Sequence, residues 1–218
     1  MLYIFDMGGV VTTTAAVVEK IALILGITEA EFMSICGCPE GNRRYGKPHE
    51  RAAGDNGFNL ITMYSNGLLS AKEFWRLFSA RSGIAVTTDW WHFLFHPEPN
   101  ENIRQLIGGL KKRGERVVCG TNTIESHYLN HLERGDYSIF DQTYASCFMG
   151  VSKPDVNFWK IILTAENVDA KDAFFVDDRI ENCEAAASLG INTFHFDFAD
   201  GKNGSDCISA LKKAVGLG

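Results

Sequence analysis

Three places in the chain put a polar, chemically capable side chain directly after a short apolar run. Asp6 follows residues 2–5, Thr121 and Asn122 follow residues 117–120, and Asp177 with Asp178 closes residues 173–176. In an open parallel sheet, ligands bind beyond the carboxyl ends of the strands, so side chains in such positions converge on one crevice. Taken alone, Asp6 serves equally well as the start of a turn, a common place for Asp. Lys153, just before Pro154, adds a cation at what reads as the opening of a helix, where backbone N–H groups also favour an anion. Converging carboxylates are costly unless a divalent cation neutralises them, and hard oxygen ligands select Mg2+. The set therefore combines a cation site with an anion site, which is what phosphoryl transfer requires. Lys153 and the Thr121 hydroxyl would spread charge over the transferring oxygens, and Asp6 could attack as a covalent nucleophile.

The elements that must hold these groups follow from the pattern. From about residue 100, strand-like and helix-like segments alternate, as in a parallel sheet covered by helices. Asn100 opens a helix with Ile103, Leu106, Ile107 and Leu110 on one face, and Gly114 stands where a left-handed cap would end it. Strands are expected at 116–120, 142–146, 173–177 and 191–196, in addition to the N-terminal one. The intervening helices are expected at 124–132, from Pro154 with Phe158, Ile161 and Ile162 on one face, at 180–189, and at 205–215. Residues 15–95 carry helical patterns without strong strands. Val17, Ile21, Ile24 and Leu25 form a stripe ending at Gly26, and Thr28 with Glu31 and Ser70 with Glu73 have capping-box spacing. Residues 41–59 read as loop or a short polar helix.

Composition narrows the classes of partner. The 218 residues are 45% hydrophobic and 22% charged, enough for one large domain or a domain plus an insert. A net charge of −6 argues against a broad nucleic-acid or anionic-membrane surface, and no apolar stretch approaches the span of a bilayer. The expectation is a soluble cytoplasmic protein, monomer or homodimer, whose partner is a small molecule. The six cysteines are scattered, with only Cys36 and Cys38 close, and read as reduced thiols.

FDMGGVV at 5–11, GTN at 120–122, SKP at 152–154 and FVDDRIEN at 175–182 resemble, in order, the four motifs of the haloacid dehalogenase superfamily. ITMYSNGLLSAKEFW at 61–75 is similar to the second half of the helical cap such proteins insert after the first motif. The resemblance implies an α/β Rossmann-like core at residues 1–14 and 97–218 with a helical cap at 15–96, hinged near 12–15 and 96–99. It implies Asp6 as nucleophile and Mg2+ ligand, the Gly8 carbonyl and Asp178 as further ligands, and Asp177 in support. Thr121, Asn122 and Lys153 would bind the phosphoryl group of a small phosphorylated metabolite, with Asn122 and Asn182 also serving as supporting hydrogen-bonders.

Two positions depart from the family pattern. The acid/base Asp usual two residues after the nucleophile is Gly8, and the Thr usual four residues after it is Val10. A positioned acid or base contributes about 10² to 10⁴ in rate, so its loss implies slow turnover rather than none. The FD-x-G-x-V form resembles a subgroup associated with sugar 1-phosphate hydrolysis. The rival readings are a silent binding protein that keeps the fold, and a carbon–halogen hydrolase, for which the Asp177–Asp178 pair would have no purpose.

Other candidates read as structural. His127 and His131 share a helix face but lack the Glu of a zinc-protease helix. Arg43, Arg44, Lys47 and His49 read as a solvated face, with His49 and Glu50 as a weaker source of the missing acid/base. Trp75, Trp90, Trp91, Phe93 and Phe95 read as packing between insert and sheet.

Overall fold

The computed structural model describes residues 1–38, 59–197 and 204–217, so Arg43, Arg44, Lys47, His49 and Glu50 lie outside the described residues. The chain runs β1 (Leu2–Phe5), α1 (Val17–Leu25), α2 (Glu29–Ile35), α3 (Leu60–Ser65), α4 (Ala71–Ser82), α5 (Trp90–Phe93), α6 (Glu101–Lys112), β2 (Arg116–Thr121), α7 (Glu125–Glu133), β3 (Gln142–Ala145) and α8 (Ser146–Met149). It continues with α9 (Asn157–Glu166), β4 (Ala173–Asp177), α10 (Ile180–Ala187), β5 (Asn192–His195) and α11 (Gly204–Ala214). The five strands form one parallel sheet in the order β3-β2-β1-β4-β5. The α/β architecture expected from the alternating pattern is the one observed.

The central strand is the keystone. Leu2, Tyr3, Ile4 and Phe5 are all buried, with Tyr3 and Phe5 in one apolar cluster and Leu2 and Ile4 in another. Each such side chain contributes about 1.5–3 kcal/mol on burial, which offsets the cost of the carboxylate that follows. Register then sets the site. Phe5 is level with Cys119 of β2 and with Val176 of β4, so the next residues, Asp6, Gly120 and Asp177, reach the carboxyl edge side by side.

The caps read from sequence are present. Thr28 with Glu31 and Ser70 with Glu73 form capping boxes, Asn100 accepts from the Ile103 amide, and Gly26 and Gly114 are left-handed. Two helix faces differ from expectation. Ile24 and Ile161 are exposed, and the buried stripes run instead through Val17, Ile21 and Ala22 and through Phe158, Trp159 and Ile162. Pro154 does not open a helix either. It follows Lys153 through a cis peptide, and α9 starts at Asn157, whose amide donates to the Asp155 carboxylate.

Between β1 and α6 the described residues are helices and loops without a strand. Residues from α1 to Phe95 share one apolar cluster, which takes in Ile124 from outside that stretch. The two segments leading into and out of this stretch pair with each other: Thr12 bridges Pro99, and the Thr13 amide donates to the Glu98 carbonyl at 2.8 Å. Trp75, Trp91 and Phe95 are buried there as expected, while Phe93 is exposed. Among the described residues, no helix is long and apolar enough to cross a membrane. All six cysteines are free thiols.

Candidate active site

Asp6 leaves β1 into a tight loop in which the Met7 carbonyl accepts from the Val11 and Thr12 amides at 2.9 and 2.8 Å. The Asp6 Oδ1 accepts from the Met7 amide at 2.7 Å and pairs with Lys153 Nζ at 2.9 Å. Lys153 is itself buried, its ammonium 2.7 Å from Asp177 Oδ2 and donating to the Gly120 carbonyl at 2.9 Å. The sequence placed this ammonium at a helix start. The structure places it instead among the carboxylates, because the segment after Lys153 turns before the helix begins.

Asn122 explains how a lysine from a loop is held so firmly. Its side chain grips the Lys153 backbone twice, donating from Nδ2 to the carbonyl and accepting at Oδ1 from the amide, both at 2.8 Å. Asp177 is fully buried, with Oδ1 accepting from the Arg179 amide at 2.9 Å and Asn182 Nδ2 at 2.8 Å, and Oδ2 taken by Lys153. Both of its oxygens are therefore engaged by protein donors. Asp178 is half-buried, and the ligand atoms of Asp6, Asp177 and Asp178 lie within 4.8 Å of one another. Thr121 is buried at the end of β2, next to this group in the sheet.

The electrostatics follow from crowding. Burial pushes the Asp6 carboxyl up to about 7; Lys153 pulls it down, while Asp177 and Asp178 add to the rise. Burial, then the charge of Asp177, also raises Asp178. For Lys153, burial opposes the charge, but Asp177 and Asp6 outweigh it and hold the ammonium protonated. One buried cation thus faces three carboxylates, a set short of positive charge and built of hard oxygen donors.

The two glycines after Asp6 differ. Gly9 has φ +83°, and a Cβ there would lie 2.6 Å from the Asp178 carboxyl carbon. Gly8 has no such constraint: a Cβ would meet only Thr14 Cγ2, at 3.8 Å. The Gly8 backbone therefore does not demand glycine.

His127 and His131 pack away from this group of carboxylates. His127 stacks on Phe95 at 3.8 Å between centroids, and burial depresses it to about 3. His131 is buried 2.8 Å from Asp136. A surface cleft of about 620 Å³ lined by Met1, Arg116 and Glu166, among others, opens at the opposite end of the strands and contains none of the groups above.

A family model described as haloacid dehalogenase-like hydrolase matches residues 1–190. The chain belongs to the haloacid dehalogenase-like hydrolase family. Among curated proteins it is similar to sesquiterpene phosphatase astK of Aspergillus oryzae, 31% identical over 99 residues, which are 44% of this chain and 50% of that protein. The chain thus spans about half the length of that curated relative. Among solved structures it resembles a HAD-like family hydrolase of Porphyromonas gingivalis, with TM-score 0.74 and 21% identity, covering 98% of this chain and 97% of that one. A HAD family enzyme of Bacteroides thetaiotaomicron, in complex with magnesium and inorganic phosphate, aligns with TM-score 0.69 and 20% identity over 91% of this chain and 95% of that one. These likenesses establish the fold.

Of the residues singled out from the sequence, Asp6, Gly8, Thr121, Asn122, Asp177, Asp178 and Asn182 lie at the carboxyl ends of β1, β2 and β4 or on the loops and helix that follow, and Lys153 reaches them from the segment between α8 and α9. Sequence reasoning missed the hydrogen bonds that join the helical stretch to the sheet domain: Tyr64 with Ser126, Ser126 with Asp89, and Ser146 Oγ to the Ser65 carbonyl at 2.7 Å. The signal available was the cap-like phrase at 61–75, which contains Tyr64 and Ser65.

Proposed function

We propose that this chain is a Mg2+-dependent phosphate monoester hydrolase that works through an aspartyl-phosphate at Asp6. The observation that carries the reading is Asp6 and Asp178 brought together beside the buried Lys153 ammonium at the carboxyl edge of the sheet. Asp6 and Asp178 would hold the ion together with the Gly8 main-chain carbonyl, while Asp177, whose oxygens are occupied, anchors Lys153. The donor set is all oxygen and in excess of its one cation, which fits a hard divalent ion. When bound, Mg2+ supplies the charge that lets a carboxylate and a phosphate dianion approach each other.

The residues then divide the work. Asp6 attacks phosphorus, forming a P–O bond as the ester P–O bond breaks, and the alcohol departs. Lys153 and the Thr121 hydroxyl stabilise the charge on the transferring oxygens. Water attacks the phosphorus of the aspartyl-phosphate and releases inorganic phosphate, restoring the Asp6 carboxylate. Gly8 offers no proton at either step, so the leaving group must take one from solvent, and activity should favour alcohols that leave readily. The helical stretch at 15–96 acts as the cap that encloses the substrate, a small phosphorylated metabolite. Sugar 1-phosphates fit the leaving-group argument, and the name of the astK relative adds sesquiterpene phosphates. A dehalogenase reading leaves Asp178 without a purpose.

The test is a panel of sugar, alkyl, sesquiterpene and p-nitrophenyl phosphates assayed with Mg2+ and with EDTA. Hydrolysis that EDTA abolishes supports the reading; metal-independent turnover, or none on the whole panel, contradicts it.

A further inference from the structure

One short turn of the helical stretch packs closely against the sheet domain. α3 ends at Ser65, and three successive residues then grip the other side. The Ser65 carbonyl accepts from Ser146 Oγ at 2.7 Å, and Asn66 Oδ1 accepts from Ser152 Oγ. Gly67, at φ +68°, approaches so closely that a Cβ would lie 2.8 Å from the Cys147 carbonyl carbon. On either side of the turn, Tyr64 OH bonds Ser126 Oγ, and the Ala71 amide, in the first turn of α4, donates to Glu125 Oε2 at 2.7 Å.

These partners are not scattered. Ser146 Oγ also takes the Thr123 amide at 2.9 Å, two residues beyond Thr121, and Ser152 is the neighbour of Lys153, whose backbone Asn122 holds. The turn is therefore fixed against the two loops that carry the phosphoryl-binding groups. Asn66 is the one of the three residues with a side chain long enough to present a polar group beyond its own anchor. Its Oδ1 is committed to Ser152, which orients the amide, and its Nδ2 has no partner among the described residues. It is half-buried, at the boundary rather than in a core.

We infer that Asn66 is a specificity-determining residue of the substrate site, whose Nδ2 donates to an oxygen of the alcohol part of the phosphate ester. This rests on the phosphate-ester reading above and deepens it. Lys153 and Thr121 read the phosphoryl group that every substrate shares. Asn66 reads what differs, and its anchorage means that it does so from a fixed position rather than on closure of a lid. A site built to hydrogen-bond a substrate group discriminates strongly, because its own polar atom is otherwise left unpaired.

The experiment measures binding rather than turnover, so that its failure is distinct from failure of the hydrolase assay. Asp6→Asn protein is titrated by calorimetry in Mg2+ with orthophosphate, glucose 1-phosphate and glycerol phosphate, with and without Asn66→Ala, Asn66→Asp or Ser152→Ala. Asn66→Asp keeps the acceptor for Ser152 while losing the donor, and so retains the docking bond. The expected result is that both Asn66 variants weaken at least one organic ester by about tenfold or more while orthophosphate changes less than about threefold. Ser152→Ala, which leaves the amide in place, should cost less. Equal weakening of orthophosphate and esters, no weakening of any of them, or a parent that binds no ester more tightly than orthophosphate would each overturn the assignment and leave Asn66 a docking residue.

Discussion

Gly9 and Asp178 stand so close that the second carboxylate occupies the space a side chain on the first would need: a Cβ on Gly9 would lie 2.6 Å from the Asp178 carboxyl carbon. The glycine is what permits the loop after β1 and the loop after β4 to meet, and with them two of the proposed ion ligands. Gly9→Ala must displace Asp178 and also strain a backbone at φ +83°. The expected outcome is a loss of Mg2+ affinity of about 10- to 100-fold with the sheet intact, read by calorimetric titration beside circular dichroism. Unaltered affinity would remove Asp178 from the site.

Its neighbour behaves in the opposite way. Gly8 has an ordinary backbone, and only Thr14 Cγ2 comes within 4 Å of a Cβ built there. Gly8→Asp should therefore fold and supply the missing acid. Wild type should cleave p-nitrophenyl phosphate faster than alkyl phosphates, and the substitution should narrow that margin, by at most the ~10² to 10⁴ an acid contributes. Equal wild-type rates on both classes would show that another residue already delivers the proton.

These two glycines illustrate what a sequence discloses. The strands were legible because each is a short apolar run, and their ends because a polar residue follows each one at once. Register then did the rest: Phe5 level with Cys119 and Val176 aligns Asp6 with Gly120 and Asp177. Which glycine carries the positive φ was not legible, since both positions are free of side chains. Nor was the environment of Lys153, because Pro154 suggests a helix start while the amide that begins α9 is capped by Asp155, one residue on from the proline. The grip of Asn122 on the Lys153 backbone spans 31 residues and leaves no local pattern. Ile24 and Ile161 show the remaining weakness: periodicity gives a helix a face, but the neighbours it meets decide which edge of that face is covered.

Lys153 is buried and pairs with both Asp6 and Asp177, the one buried cation among the described residues to do so. Lys153→Met preserves bulk but leaves buried carboxylates uncompensated. In EDTA the variant should lose about 3–5 kcal/mol in denaturant unfolding, the usual cost of stripping one partner from a buried pair. Mg2+ should restore part of it. A variant as stable as wild type without metal would mean that the carboxylates are not charged together.

The pH dependence has a definite sign. Burial holds the Asp6 carboxyl at about 7, above its ordinary 3.8, so between those values the folded chain keeps a proton that the unfolded chain has released. Metal-free stability should consequently fall as pH rises from about 4 to about 7, and flatten above that. Asp6→Asn should reduce the slope, and Mg2+, which competes with the proton, should do the same. Thermal melts in EDTA that show stability rising across this range would contradict the buried, crowded site.

The central claim is that Asp6 becomes covalently phosphorylated, and it is tested most directly by quenching the enzyme in acid during turnover of p-nitrophenyl phosphate with Mg2+ and mapping the modified peptide by mass spectrometry. One phosphoryl group is expected on Asp6, absent when EDTA is present, with no turnover by folded Asp6→Asn protein. Sustained turnover by that variant, or a phosphoryl group on a different residue, would contradict it.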